Sequence, residues 1–418
     1  MLKKIDARQL QIGMYVSELD RPWAETRFLF QGLLLESAED IEQLRALCSY
    51  VYIDAEDAPE SGSAKVKVVR EFGIRTDGRR VGIKEILRDF PCDYSYPVIL
   101  PVEQELQSAH QAYNAAASVF CSIWNRVRAG RKFNSSEFKS AINRITSSVI
   151  RNPDAFLLLR SLCDDRDYNC RHAINSCALA AAFGRHLGFY PDDISVLATG
   201  AYLMDIGKAR LPEELLNKRG PLTTDEQTQF HCHAALGIEV LCEVDGLSPA
   251  LIEMVQSHHE RDNGEGYPVG LDGNQIPVFA RIAALVDCFD AITIDRPYKS
   301  ALAAVDALKM LLEAIDVDFQ KQFTEEFSRC LGPCPTGSVV ELNNDFVAAV
   351  IEQNPGNRKQ PRVLLLNSRE QALEDRHIVI DLGRQATGTA QNPLGIRTLL
   401  PTILDGGRLK NRMLSLAS

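Results

Sequence analysis

The sequence has no continuous apolar run of about 18 residues, the least that a membrane-crossing helix requires; its densest apolar stretches, such as 346–351, are strand-sized. The opening MLKKIDARQLQIGMYV carries two lysines but lacks the unbroken apolar core of a secretory signal. There is no Cys-x-x-Cys pair: the 11 cysteines are scattered from Cys48 to Cys334, and even the close pair Cys330 and Cys334 has three residues between. That pattern is expected of reduced, mostly buried thiols in a cytoplasmic protein. Positive charge is not in excess either, with 46 Lys plus Arg against 56 Asp plus Glu and a net charge of -10. Duplex nucleic acid and anionic membranes are therefore not expected partners, and any phosphate-bearing ligand must be held by local basic residues. Internal repeats and low-complexity tracts are absent.

What is present is an ordinary globular composition, 45% hydrophobic and 24% charged. A chain of 418 residues exceeds one ordinary core, so several domains are expected. Between 1 and 70, short apolar runs at 28–35, 50–53 and 66–69 flank a charged segment, 37–48, with helical spacing of Ile41, Leu44 and Leu47. This predicts a small α/β domain for regulation or association. Residues 71–101, charged and then proline-bearing, read as a linker. From 102 to 328 the pattern is helical almost throughout, an all-α body. Residues 329–418 change to strand-like runs, including SVVELNNDFVAAVIEQN, PRVLLLN and HIVIDL, and predict a β-rich extension with a loose tail. The fold class expected is multidomain α+β, with a mainly helical bundle between two smaller units.

Six of the eight histidines fall between 172 and 259, about a fifth of the chain. The helix carrying His233 opens on Thr223-Thr224-Asp225-Glu226, a capping box, and continues through Leu236, Val240 and Leu241. His233 shares the inward face of Leu236, whereas His231, two residues earlier, points about 200° away. The next helix opens with Ser248-Pro249 and ends at His258-His259-Glu260. A lone histidine is more often a hydrogen-bonded core residue than a ligand. Two adjacent imidazoles, partly buried, are a poor choice unless something shares their lone pairs. Asp287 lies in the apolar helix RIAALVDCFDA, where an uncompensated carboxylate costs several kcal/mol, so a metal or a basic residue must be near it. Imidazoles and carboxylates on converging helices suit Fe, Mn or Zn. Beyond the histidine pair, a glycine-dense loop runs from Arg261 through Asn263, Gly264, Gly266, Tyr267 and Pro268; its backbone can approach a ligand closely and Tyr267 can stack on a base. Lys208, Arg296 and Lys299 are candidate phosphate holders.

The string HHERDNGEGYP at 258–268, followed by IPVFARI at 276–282, by Asp287 and by RPYK at 296–299, resembles the HD-GYP family, phosphodiesterases of the second messenger cyclic di-GMP. The resemblance covers 172–312, and the first segment resembles a domain that accompanies this family in bacteria. It implies a helical HD-GYP domain at 102–328 and metal ligands at His172, Asp205, His233, His258, His259 and Asp287, with Asp205 bridging. It implies Asp205 and Lys208 as catalytic residues, and Lys208, Gly264, Gly266, Tyr267, Pro268, Arg296 and Lys299 as contacts to cyclic di-GMP. Glu260 is expected to orient a ligand histidine from behind. The cofactor implied is up to two divalent ions, Fe or Mn first, with Zn, Mg or Ni as alternatives. Where the family has its His-Asp doublet this chain has Met204-Asp205, and where members with a third metal have Glu it has Tyr168.

A thioether is a weak ligand for a hard divalent ion, so the first metal, with His172, Asp205 and Asp287, loses a nitrogen donor, while the second keeps Asp205, His233, His258 and His259. Met204 also continues the apolar face of Leu197 and Ala201 and serves there as core. Two functions fit: a hydrolase opening cyclic di-GMP to linear pGpG or GMP, and a receptor or interaction module that keeps the pocket but not the chemistry. A helical interaction protein without nucleotide leaves the Gly-Tyr-Pro loop and RPYK unexplained. A second copy of the chain or another signalling protein remains open as partner of the first segment.

Overall fold

The structure is a computed structural model describing residues 2–11, 15–20, 33–35, 38–54, 83, 87, 92–163, 167–295, 301–367, 378–384 and 393–400. It is mainly helical, with two small sheets. Two compact units are present, one of 1–75 with 211–233 and the other of 76–210 with 234–418. His233 opens a helix whose remaining residues all belong to the second unit.

In the first unit β1 (Leu2–Asp6), β2 (Tyr15–Leu19), β3 (Leu33–Leu34) and β4 (Tyr50–Asp54) form an antiparallel sheet in the order β1-β4-β2-β3. Helix α1 (Ala38–Leu47) follows the spacing read from the sequence: Ile41 and Leu44 are buried with Ile5, Val16, Leu19 and Val51, and Leu47 packs against them. The side chain of Arg45 donates to the carbonyls of Ala7 and Leu10, closing the turn after β1. The apolar run at 66–69 and most of the linker expected at 71–101 lie outside the described residues.

The second unit begins with α2 (Val102–Arg128), whose buried Ala109, Ala112, Ala116, Phe120, Ile123 and Val127 recur every three or four residues and form one apolar stripe. Helices α3 (Ser135–Arg151) and α4 (Pro153–Leu162) pack beside it. Asn152 and Pro153 separate these two: the Asn152 side chain accepts from the Asp154 N–H, and proline starts the new helix. Helix α5 (Tyr168–Leu187) is buried nearly all round from Cys170 to Gly184, because its run of alanines lets neighbours approach closely. It packs on α6 (Pro191–Leu203) and, further along the chain, on α11 (Val278–Thr293). In the sequence between α6 and α11 come α7 (Glu213–Leu216) and α8 (Thr224–His231), which belong to the first unit, then α9 (His233–Leu241) and α10 (Pro249–Ser257). The single helix expected from Thr223 through Leu241 is thus two, broken at Cys232. The capping box itself is present, with Thr223 and Glu226 exchanging backbone-to-side-chain bonds. Helices α12 (Ala304–Glu313) and α13 (Lys321–Leu331) complete the bundle.

After α13 the chain enters a five-stranded antiparallel sheet, β5 (Val339–Leu342), β6 (Val347–Glu352), β7 (Arg362–Asn367), β8 (Val379–Asp381) and β9 (Ile396–Leu399), in the order β8-β7-β6-β5-β9. Val340, Leu342, Ala348, Val350, Val363 and Leu365 form its core. Asp345, in the left-handed region at φ 68°, closes the β5–β6 turn that Asn343-Asn344-Asp345 announces. No disulfide is present among the described residues, and Cys48, Cys163, Cys170, Cys177, Cys288 and Cys334 are buried. No described helix is long and apolar enough to cross a membrane.

Candidate metal centre

Four loci of the second unit meet near the end of α6. His172 stands in the second turn of α5, Asp205 just beyond α6, His258 and His259 just beyond α10, and Asp287 within α11. His233, the first residue of α9, joins them. His172, His233 and His258 are 1% exposed or less, and Asp205, His259 and Asp287 are buried too. Their ligand atoms form two groups, each within 4.8 Å: Asp205, His233, His258 and His259 in one, His172, Asp205 and Asp287 in the other. Asp205 belongs to both.

The imidazoles are oriented by their outward nitrogens. His233 Nδ1 lies 2.8 Å from the Phe230 carbonyl and His258 Nδ1 lies 2.7 Å from the Val255 carbonyl. A carbonyl only accepts, so Nδ1 carries the proton and the lone pair is on Nε2, the tautomer of a metal ligand. His258 Nε2 is 3.8 Å from Asp205 Oδ1, and His259 Nδ1 is 3.9 Å from Asp287 Oδ2. His172 is held differently: Nδ1 is 2.8 Å from Asp290 Oδ2, while Nε2 is 3.0 Å from Asp287 Oδ1 and 3.4 Å from Asp205 Oδ2. Its ring stacks on Tyr168 with centroids 5.6 Å apart. Burial opposes protonation of His172, but Tyr168 and the carboxylates of Asp205, Asp287 and Asp290 outweigh it and place its pKa well above the ordinary value. Burial likewise opposes ionisation of Asp287, and the hydrogen bond and charge of His172 reverse the direction, holding it low. Lys208 Nζ reaches Asp205 Oδ2 at 2.5 Å; burial would lower its pKa, and Asp205 raises it. By contrast, burial holds His231 down at about 4, and it belongs to neither group.

Two carboxylates and four imidazoles, grouped around one shared carboxylate and buried, match the donor chemistry of borderline divalent ions. Comparison with known proteins agrees. Residues 158–319 match the family described as HD domain, and residues 2–138 match one described as domain of unknown function (DUF3391). A cyclic di-GMP phosphodiesterase of Pseudomonas aeruginosa is 31% identical over 389 residues, 92% of this chain and 90% of that protein. The chain belongs to the HD-GYP family. Shorter matches within the family include a probable cyclic di-GMP phosphodiesterase of Vibrio cholerae, 37% identical over 33% of each chain. A 3'3'-cGAMP-specific phosphodiesterase of the same organism is 30% identical over 40% of this chain and 36% of that one.

The loop that carries the GYP part of the HD-GYP motif is built around Glu260. Glu260 does not orient a ligand histidine, as its position beside the pair suggests. Its buried carboxylate accepts from the N–H groups of Val269, Gly270 and Leu271 at 2.8, 3.0 and 2.9 Å and so folds the loop back on the histidines. Three convergent backbone donors commit both of its oxygens to the loop. Gly266 passes so close to that segment that a Cβ would lie 2.4 Å from the Arg261 nitrogen, which excludes any other residue there. The Tyr267–Pro268 peptide is cis. Tyr267 stacks on His259, centroids 4.6 Å apart, so one face of its ring covers that imidazole rather than awaiting a base. Gly264 adopts φ 80°, and Asn263 turns its side chain onto Glu265. Arg296 and Lys299 lie outside the described residues.

Met204, at 1% exposure, ends α6 within the apolar core beside Asp205. The HD-GYP doublet is thus half a core residue here. Sequence reasoning missed Asp290 and Arg160. Asp290, fully buried, bonds His172 on one oxygen and accepts from Arg160 Nε at 2.8 Å on the other. Its signal in the sequence is a second carboxylate three residues after Asp287, on the same face of an apolar helix.

Proposed function

We propose that the chain is a metal-dependent phosphodiesterase that hydrolyses cyclic di-GMP to linear pGpG or GMP, with His172, Asp205, His233, His258, His259 and Asp287 as ligands of up to two ions, Fe or Mn first and Zn, Mg or Ni as alternatives. The observation that carries this reading is the sharing of Asp205 by two buried donor groups, which would let this one residue help hold two neighbouring ions. When bound, such a pair activates water at neutral pH and neutralises a phosphodiester. The residues of the chain do the rest. Lys208, kept cationic by Asp205, faces the same site and neutralises a non-bridging phosphate oxygen. Arg296 and Lys299 hold the second phosphate. The 264–268 loop, anchored by Glu260, forms the guanine-side wall with Gly264, Gly266 and Pro268, and Tyr267 keeps His259 in place.

The near full-length phosphodiesterase relative supports cyclic di-GMP as substrate. One observation favours a second reading, a receptor that binds without cleaving: Met204 leaves the His172 group with three protein donors. Product analysis separates the two. Protein purified without oxygen and supplied with Fe(II) or Mn(II) is expected to convert cyclic di-GMP to the linear dinucleotide or GMP, faster than 3'3'-cGAMP. Cyclic di-GMP recovered intact from a tight complex would assign the receptor instead. We also propose residues 1–70 as a regulatory or association domain, joined by 71–101 to the catalytic body at 102–328, with 329–418 as a β-rich C-terminal extension.

A further inference from the structure

Arg160 stands on α4 and reaches α11 across the back of His172. Its Nε donates to Asp290 Oδ1 at 2.8 Å, and its Nη2 donates to the Thr293 hydroxyl, so one guanidinium spans a turn of α11. Its Cζ lies over the Phe289 ring, 4.9 Å from the centroid. Arg160 is 11% exposed and Asp290 fully buried. Helix α4 is in turn gripped by the turn that enters the C-terminal sheet. At its start the Asp154 carboxylate accepts from the Thr336 hydroxyl and from the Gln353 N–H at 3.0 Å. At its end Gly337, at φ 92°, packs on Ser161 so closely that a Cβ would lie 2.6 Å from Ser161 Oγ.

We infer that Arg160 is a positioning residue for the His172 metal group, acting through Asp290, and that the Thr336–Gly337 turn of the C-terminal extension holds it in place. The inference rests on the metal reading above. A carboxylate that accepts a hydrogen bond from the Nδ1–H of an imidazole fixes its tautomer and tilt and strengthens its Nε2 as a ligand. Asp290 is 0% exposed, and Arg160 supplies its counter-charge and fixes its rotamer. Without the guanidinium the carboxylate loses the contact that fixes its rotamer and turns away from Nδ1, and His172 loses its anchor. The extension thereby gains a role: it is part of the frame of the first metal group.

The test is titration with Mn(II) alone, without nucleotide, of the full chain and of Arg160→Gln, Arg160→Lys, Asp290→Asn, Arg160→Gln with Asp290→Asn, Gly337→Ala and His172→Ala, with unfolding midpoints recorded. Arg160→Gln is expected to weaken the His172 group roughly 10- to 100-fold and leave the His258 group unchanged. Arg160→Lys recovers part of the loss, Gly337→Ala shows a smaller one, and Arg160→Gln adds nothing once Asp290 is Asn. Wild-type affinity in Arg160→Gln, or an equal loss with and without Asp290, overturns the inference. Should Arg160→Gln not fold, Asp290→Asn carries the same expectation, and unchanged affinity there overturns it equally. If His172→Ala binds as wild type does, the metal group itself is misassigned and the inference falls with it. If His172→Ala loses an ion and Arg160→Gln does not, the positioning role alone fails.

Discussion

In the group of Asp205, His233, His258 and His259, two imidazoles are fixed by carbonyls three residues upstream, at Phe230 and Val255. In the group of His172, Asp205 and Asp287, the imidazole is fixed by Asp290, 118 positions away, and Asp290 by Arg160, 130 positions from it. The first arrangement forms wherever the local helix end forms. The second needs α4, α5 and α11 docked correctly, and it has one protein donor fewer because Met204 is part of the core. Two neighbouring candidate metal groups can therefore differ in affinity through the range of the contacts that orient their donor side chains, as well as through donor number.

The severest test of that comparison removes what the two groups share. Asp205→Ala is expected to abolish both and to reduce turnover more than about 1,000-fold, read as product formed and metal per chain; an unchanged rate contradicts the two-group assignment. The support of the weaker group is tested by pH. Burial raises Asp154 from its ordinary 3.8 to about 6, against the hydrogen bonds from Thr336 and Gln353 that lower it. An acid raised on folding stabilises the fold below its unfolded pKa, and that contribution is lost as pH rises through the folded value. Stability relative to Asp154→Asn should thus fall by roughly 2 kcal/mol between pH 4 and pH 6, measured as urea midpoints; a flat difference contradicts the assignment. Met204→His adds a donor to the weaker group only. Its Mn(II) affinity should rise about tenfold, seen by calorimetry, with the other group unmoved. The smallest effect concerns neither group directly: Glu260→Gln weakens the hold on 269–271 and should raise the Kd for cyclic di-GMP about fivefold, ~1 kcal/mol, at constant metal content.

Local signals were legible in the sequence where they act locally. The caps at Thr223 and Ser248, the turn at 343–345 and the spacing of Ile41 and Leu44 each appear where their chemistry places them. The gathering of His172, Asp205 and Asp287 came from resemblance, since nothing in their spacing brings residues 33, 82 and 115 positions apart together. Long-range partners were not legible. Glu260 sits beside two imidazoles in sequence yet points at 269–271, because a residue at a helix end has no fixed face. The break at Cys232 has no glycine or proline to announce it, and Arg160 looks like any surface arginine until Asp290 is seen to face it.

Titration of the metal-free chain with Mn(II), followed by calorimetry alongside His172→Ala and His258→Ala, tests the inequality of the two groups most directly. The account predicts two classes of binding at least about tenfold apart, the weaker lost in His172→Ala and the tighter in His258→Ala. A single class, or loss of the tighter ion when His172 is removed, would contradict it.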